Sequence, residues 1–136
     1  MIKVNRATKS WFWWSLLTIF LGVIFLFTAF QAFTGEHTKT FIQNVTGMDE
    51  KNAYVMNSII RKSAHILMYG FLGILLYSVI RKRSIWYAWL CSTGIAALDE
   101  WHQSLVPGRS PLIQDVMLDS LAAFAFLLGA ALIKSR

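Results

Sequence analysis

Four apolar runs alternate with short basic segments along this chain. Residues 11–33 form the first, about 23 residues long and so long enough to cross a bilayer as a helix. Trp11, Trp13 and Trp14 at its start suit the headgroup level, where amphipathic rings settle. A cleaved signal sequence fits less well, because the run exceeds the roughly 7–15 residues of a signal core and no A-x-A site follows. Residues 34–62 are the one long polar stretch, punctuated by Gly35 and Gly47. Within it Asp49 is placed to cap a helix that starts near Glu50 and carries Ala53, Met56, Ile59 and Ile60 on one side. That stretch is expected to pack on the membrane surface and run into the second apolar run, residues 63–80, which Arg81, Lys82 and Arg83 close. Residues 85–98 are apolar again, and a helix continued to residue 105 reaches about 21 residues, enough to cross. Pro107, Gly108 and Pro111 then force a turn, since proline cannot continue a helix and glycine frees the backbone. Residues 112–133 are the fourth run, ending at Lys134 and Arg136. Its small residues, Ala122, Ala123, Ala125, Gly129, Ala130 and Ala131, read as a helix-packing face. The pattern predicts an all-α polytopic membrane protein: four transmembrane helices, with spans at 11–33, 63–80, 85–105 and 112–133, in a single domain over residues 1–136.

Composition agrees. The 136 residues are 56% hydrophobic and 15% charged, against about 25% charged in a soluble domain. A formal charge of +6 would suggest nucleic acid in a soluble protein. Here the basic residues flank apolar runs as topology determinants do, and no nucleic-acid motif or aromatic-interleaved basic patch is present. Cys91 is the single cysteine, which rules out an internal disulfide. With the N-terminus inside, the inner segments hold Lys3, Arg6, Lys9, Arg81, Lys82, Arg83, Lys134 and Arg136. The outer ones hold Lys39, Lys51, Arg61, Lys62 and Arg109. Eight against five predicts both termini in the cytoplasm. All seven acids then fall on the outer side.

Residues 98–119, LDEWHQSLVPGRSPLIQDVMLD, hold four of those acids and both prolines where two apolar runs meet. Charge near hydrocarbon costs roughly 2.5–3.5 kcal/mol per group on insertion scales, so such a cluster needs a reason. Arg61, His65 and Tyr69 recur at i, i+4, i+8 and share one stripe of the second span. Asp99 and Gln103 are i, i+4 on the third, beside Glu100 and His102. Asp115 and Asp119 are i, i+4 on the fourth, with Asp119 about 6 Å deeper. His65, Tyr69 and Asp119 are expected to be the deep members, and Arg61, Gln103, Arg109 and Asp115 the shallow ones.

Each group has a plain alternative. Arg61, Lys62 and Arg109 suit lipid phosphates as well as a bidentate clamp on an anionic ligand. Asp99 and Asp115 could merely neutralise Arg61 and Arg109. His65 is either a satisfied polar residue between helices or a proton carrier, and Tyr69 a packing residue with one hydrogen bond. Asp119 is harder to dismiss, since an acid inside a membrane helix is a functional hypothesis by default. No zinc spacing and no metal site is predicted, and no cofactor. A Mg2+ held in part by a substrate phosphate needs fewer fixed ligands and stays compatible with these residues. Ser104, Ser110 and Ser120 lack a nucleophile-elbow context.

R-K-x-x-H-x-x-x-Y at residues 61–69, L-D-E-x-x-Q-x-x-V-P-G-R-S at 98–110 and D-V-x-x-D at 115–119 together resemble the VanZ-like family, over residues 30–133. The resemblance implies a small multi-pass protein of the bacterial cell membrane, in a family whose best-known member is associated with teicoplanin resistance. It marks Arg61, Lys62, His65, Tyr69, Asp99, Glu100, Gln103, Pro107, Arg109, Asp115 and Asp119. Two positions depart: Met68 stands where many relatives have an acid, and Asp119 where many have asparagine. The expectation is an outward-facing polar pocket that acts on or binds a cell-envelope component, with membrane lipids as partners and a lipid-linked cell-wall precursor or glycopeptide as ligand. His65, Asp99, Glu100 and Asp115 are its candidates for proton exchange. Arg61, Lys62, Tyr69, Gln103, Arg109 and Asp119 are its candidates for substrate binding. The rival reading is a non-catalytic module that binds or masks such precursors. Proton-coupled transport ranks lower, because no inverted repeat is visible.

Overall fold

The computed structural model describes residues 6–29, 35–80, 84–105 and 112–134, with side chains for 11–28, 37–80, 84–105 and 112–133. The described residues form five helices and no strand: α1 (Arg6–Ala29), α2 (Gly35–Thr46), α3 (Glu50–Val79), α4 (Ile85–Gln103) and α5 (Ile113–Lys134). Three carry segments long and apolar enough to cross a membrane: Trp11–Thr28 of α1, Glu50–Val79 itself, and Ile113–Ile133 of α5.

The polar stretch before α3 holds a helix of its own. α2 ends at Gly47, whose φ of +69° is a left-handed conformation that costs glycine nothing, and whose N–H reaches Gln43 O at 2.9 Å. α3 begins at Glu50 as the sequence predicts, with Asp49 at the capping position. The Asp49 side chain makes no cap bond; it accepts from Asn52 Nδ2 at 2.5 Å instead. Lys39 Nζ donates to Glu50 Oε1 at 3.0 Å and pins α2 to the start of α3.

Two sets of contacts fix the directions of the three central helices. Thr93 meets Ser120 and Glu100 meets Leu112, pairs whose numbers sum almost to a constant, so α4 and α5 are antiparallel. His65 bonds Asp119, and Gly73 lies against Leu127, both 54 residues apart, so α3 and α5 run parallel in near register. α1 touches α4 where Thr28 meets Asp99 and Phe25 meets His102. α3, α4 and α5 thus form the centre. α1 packs on α3 and α4, and α2 packs on α3. The core comprises Leu17 and Ile24 of α1, Tyr69, Leu72, Leu75 and Leu76 of α3, Ala88 and Ala96 of α4, and Leu127 of α5.

Packing corrects three expectations. Of the small residues on α5, Ala122 and Ala123 are buried, while Ala125 is exposed and a side chain at Gly129 would meet nothing within 4 Å. The closest approach comes from glycines on the facing helix. A Cβ on Gly70 would lie 2.6 Å from the Phe126 ring, and one on Gly73 would lie 3.3 Å from Ala123 O. On the first turns of α3, Ala53 is buried, but Met56, Ile59 and Ile60 face outward. The inward stripe there is Ala53 and Asn57, the same i+4 row that continues to Arg61, His65 and Tyr69. α4 gives way to a turn at Ser104 and Leu105, so its helix is 19 residues rather than about 21.

Candidate functional site

The stripe on α3 meets the acids of α4 and α5 near one end of the bundle. Asp99 is 1% exposed and is the hub. Its Oδ1 accepts from Thr28 Oγ1 at 2.7 Å, and its Oδ2 from Tyr69 OH at 3.0 Å and Gln103 Nε2 at 2.8 Å. Three donors from α1, α3 and α4 therefore converge on one carboxylate, the arrangement that makes a buried acid tolerable without a cation. Arg61 is not among these partners, which counts against the plain alternative that Asp99 merely neutralises it. Gln103, expected among the shallow groups, is 3% exposed and belongs to this hub.

One turn along α3 from Tyr69, His65 Nδ1 lies 3.1 Å from Asp119 Oδ2. The His65 and Tyr69 rings are near-parallel, with centroids 6.0 Å apart, so the two clusters touch. Asp119 is 2% exposed, and its other oxygen, Oδ1, is enclosed without any donor. With Nδ1–H donating to the carboxylate, Nε2 is the ring nitrogen left to exchange a proton. The deep members named from the sequence, His65, Tyr69 and Asp119, are thus brought together. Glu100, buried beside Asp99, does something the sequence did not foretell: its Oε1 accepts the Leu112 N–H at 2.6 Å, satisfying a backbone donor just before α5.

Arg61 and Asp115 stand one turn beyond His65 and Asp119, both half-buried. Lys62 is exposed. None of the three makes a side-chain ion pair or hydrogen bond with the described residues. Arg109, Pro107, Gly108 and Pro111 lie outside the described residues, as do Arg81, Lys82 and Arg83. Among the described residues no three His, Cys, Asp or Glu side chains gather as metal ligands would.

The motifs at 61–69, 98–110 and 115–119 and their convergence have a counterpart among known families. A family model described as VanZ/LLP1 matches residues 12–134, nearly the whole chain. The chain belongs to the VanZ/LLP1 family. Among curated proteins and among solved structures nothing matches it. Membership and the three apolar helices make this VanZ/LLP1 chain a membrane protein.

Two polar contributions in this VanZ/LLP1 bundle were missed from the sequence. Thr28 sits in an apolar run, where a lone threonine carries no signal, yet it bonds the hub from α1. Ser120, considered only as a nucleophile, ties α4 to α5: Trp89 Nε1 donates to its O and Oγ at 3.1 and 3.0 Å, and Thr93 Oγ1 lies 2.8 Å from its Oγ. Serine, threonine and tryptophan at spacing that suits any membrane helix give no warning of such a knot.

Proposed function

We propose that this VanZ/LLP1 protein acts on or binds a lipid-linked component of the bacterial cell envelope at a polar site open to the outer face, and that it lowers the access of teicoplanin-type glycopeptides to their target. The observation that carries the reading is the His65–Asp119 pair beside the Asp99 hub: an imidazole oriented by a buried carboxylate, where α3, α4 and α5 meet. Such a pair suits proton exchange with a bound ligand. Asp99, whose two oxygens receive three donors, holds the site in shape and supplies the negative charge that Asp99→Asn would remove. Arg61, Lys62 and Arg109 supply the cations for an anionic group, with Tyr69, Gln103 and Asp119 completing the binding set. Glu100 and Asp115 remain candidates for proton exchange. The same saturation of Asp99 favours the second reading, a non-catalytic module that binds or masks lipid-linked precursors.

Topology is part of the proposal. α4, third of the four spans in chain order, joins the three apolar helices in crossing: its 19 residues rise about 28 Å, close to the ~30 Å hydrocarbon core. α1 and α4 run outward, α3 and α5 inward, with both termini cytoplasmic, as the eight-to-five basic count favours. The whole chain is one domain.

Binding of labelled teicoplanin to cells expressing wild type, Asp99→Asn or Arg109→Ala, at matched protein levels, tests the function. Wild type is expected to lower binding and both variants to lose that effect. Variants that behave like wild type would sink the site, and a wild type without effect would sink the antibiotic link. If the chain is an enzyme, the Asp99→Asn protein loses activity by orders of magnitude; a binding module loses a few kcal/mol of affinity at most.

A further inference from the structure

Hydrogen-bond donors are unevenly supplied to the acids of this site. Asp99 receives three and Glu100 one. Asp119 receives one, from His65, for two oxygens, and its Oδ1 is enclosed with none. Asp115, one turn further out on the same face of α5, receives none to its side chain from the described residues. A carboxylate only accepts, so among the described residues this layer is short of N–H or O–H groups.

A cation stands level with it. α3 and α5 run parallel with partners 54 residues apart at His65–Asp119. The same offset sets Arg61 opposite Asp115 (115 − 61 = 54), one turn outward of that pair. Both are half-buried, yet no ion pair within 4.0 Å joins them. Opposite charges facing each other across two packed helices without closing leave room for a group that answers both.

We propose that this layer binds a zwitterionic headgroup, a phosphate joined to a primary ammonium. The phosphate oxygens accept from the Arg61 guanidinium, which suits phosphate geometry. The ammonium supplies up to three N–H donors to the acid layer, Asp115 first and Asp119 Oδ1 beneath it. The inference rests on the reading that this cluster is the working site, and it names the ligand class. A membrane phospholipid and a free phosphoethanolamine-type compound share that chemistry.

The test follows thermal unfolding of the purified full chain in a maltoside detergent with three added short-chain lipids. Phosphatidylethanolamine has the ammonium N–H groups, phosphatidylcholine is methylated and has none, and phosphatidylglycerol lacks the cation. Only phosphatidylethanolamine is expected to raise the Tm saturably. Arg61→Gln and Asp115→Asn are expected to weaken that response by about tenfold or more, while Lys51→Gln, at an exposed position outside the site, responds as wild type. Soluble glycerophosphoethanolamine separates the sources: a matching shift assigns recognition to the headgroup alone, and no shift assigns it to the bilayer lipid. Equal shifts from all three lipids overturn the proposal. So do Arg61→Gln and Asp115→Asn proteins that keep their lipid-free Tm and respond like wild type. If either variant fails to fold, the lipid ranking of the wild type decides alone. A lost ranking with an intact teicoplanin effect removes the ligand class only; an intact ranking without a teicoplanin effect removes the antibiotic reading only.

Discussion

Asp99 is surrounded in a way that makes its conservative replacement informative. Thr28 Oγ1 lies 2.7 Å from Asp99 Oδ1, but also 3.0 Å from Ile24 O and 3.1 Å from Phe25 O. Its single proton therefore has three acceptors to choose from. In an Asp99→Asn protein the amide oxygen can take the place of Oδ2 and accept from Tyr69 and Gln103. The amide nitrogen then donates to Thr28, whose proton turns to a backbone carbonyl. The variant is expected to unfold within about 0.6 kcal/mol of wild type, the average for one interhelical bond in a membrane bundle. Asp99→Ala strands the Tyr69 hydroxyl in the core and takes one acceptor from the Gln103 amide, and a loss of about 1–3 kcal/mol is expected. Denaturant titration in mixed micelles reads both. A large loss for Asp99→Asn would show that the hub needs its charge, not its shape. The teicoplanin experiment depends on this difference, since it uses Asp99→Asn as a folded protein without the acid.

At the scale of elements, the contact between α3 and α5 is set by two glycines. The Phe126 ring occupies the space where a Gly70 side chain would stand. Gly70→Ala must push that ring or separate the helices, and overpacking of this kind costs typically 1–3 kcal/mol. A second change, Phe126→Ala, vacates the space, so the double variant is expected to lose less than the two single losses added together. Gly94 on α4 has nothing within 4 Å of its would-be Cβ, and Gly94→Ala is expected to leave stability unchanged or slightly raised. The same micelle titrations decide it, and strict additivity at Gly70 and Phe126 would contradict the contact. The consequence reaches the site. Gly70 neighbours Tyr69 and lies five residues from His65, so a forced separation here also stretches the His65–Asp119 bond.

The whole molecule is tied together by one polar chain: Thr28 on α1, Asp99 on α4, Tyr69 and His65 on α3, Asp119 on α5. Four helices share it, which couples the site to the assembly of the bundle. Whether α4 crosses the membrane can be checked with the chain's own cysteine. Cys91 is exposed on α4, in the seventh position of its 19 residues. If α4 crosses the membrane, that thiol faces lipid. It is then expected to resist a membrane-impermeant maleimide in intact cells and in opened membranes, and to react once the protein is unfolded in detergent. Rapid labelling from either side would remove α4 from the bilayer. The register of α3 against α5 bears on the same question. Ile113 falls level with Ile59, so the nine residues from Glu50 to Ser58 extend about 13 Å past the start of α5. α2 packs on α3 and is pinned to its first residue by the Lys39–Glu50 pair.

Helical class, apolar runs and the neighbourhood of the candidate site were legible in the residues alone. Hydrocarbon-length runs admit few other structures, and charge in such runs is too costly to be accidental. The i+4 row of Arg61, His65 and Tyr69 and the i+4 pair of Asp115 and Asp119 were legible for the same reason: helical spacing alone puts each set on one face. What each charge pairs with was decided by the tertiary structure. Asp99 took Thr28, Tyr69 and Gln103 rather than Arg61, Glu100 took a backbone N–H, and Asp119 took His65 with one oxygen left over. Those choices depend on the register between helices, which close packing at Gly70 and Gly73 sets and which no single helix encodes. Outward-facing Met56, Ile59 and Ile60 show the same limit. An apolar face on a membrane helix is stable against lipid as well as against protein, so periodicity identifies the face but not its partner.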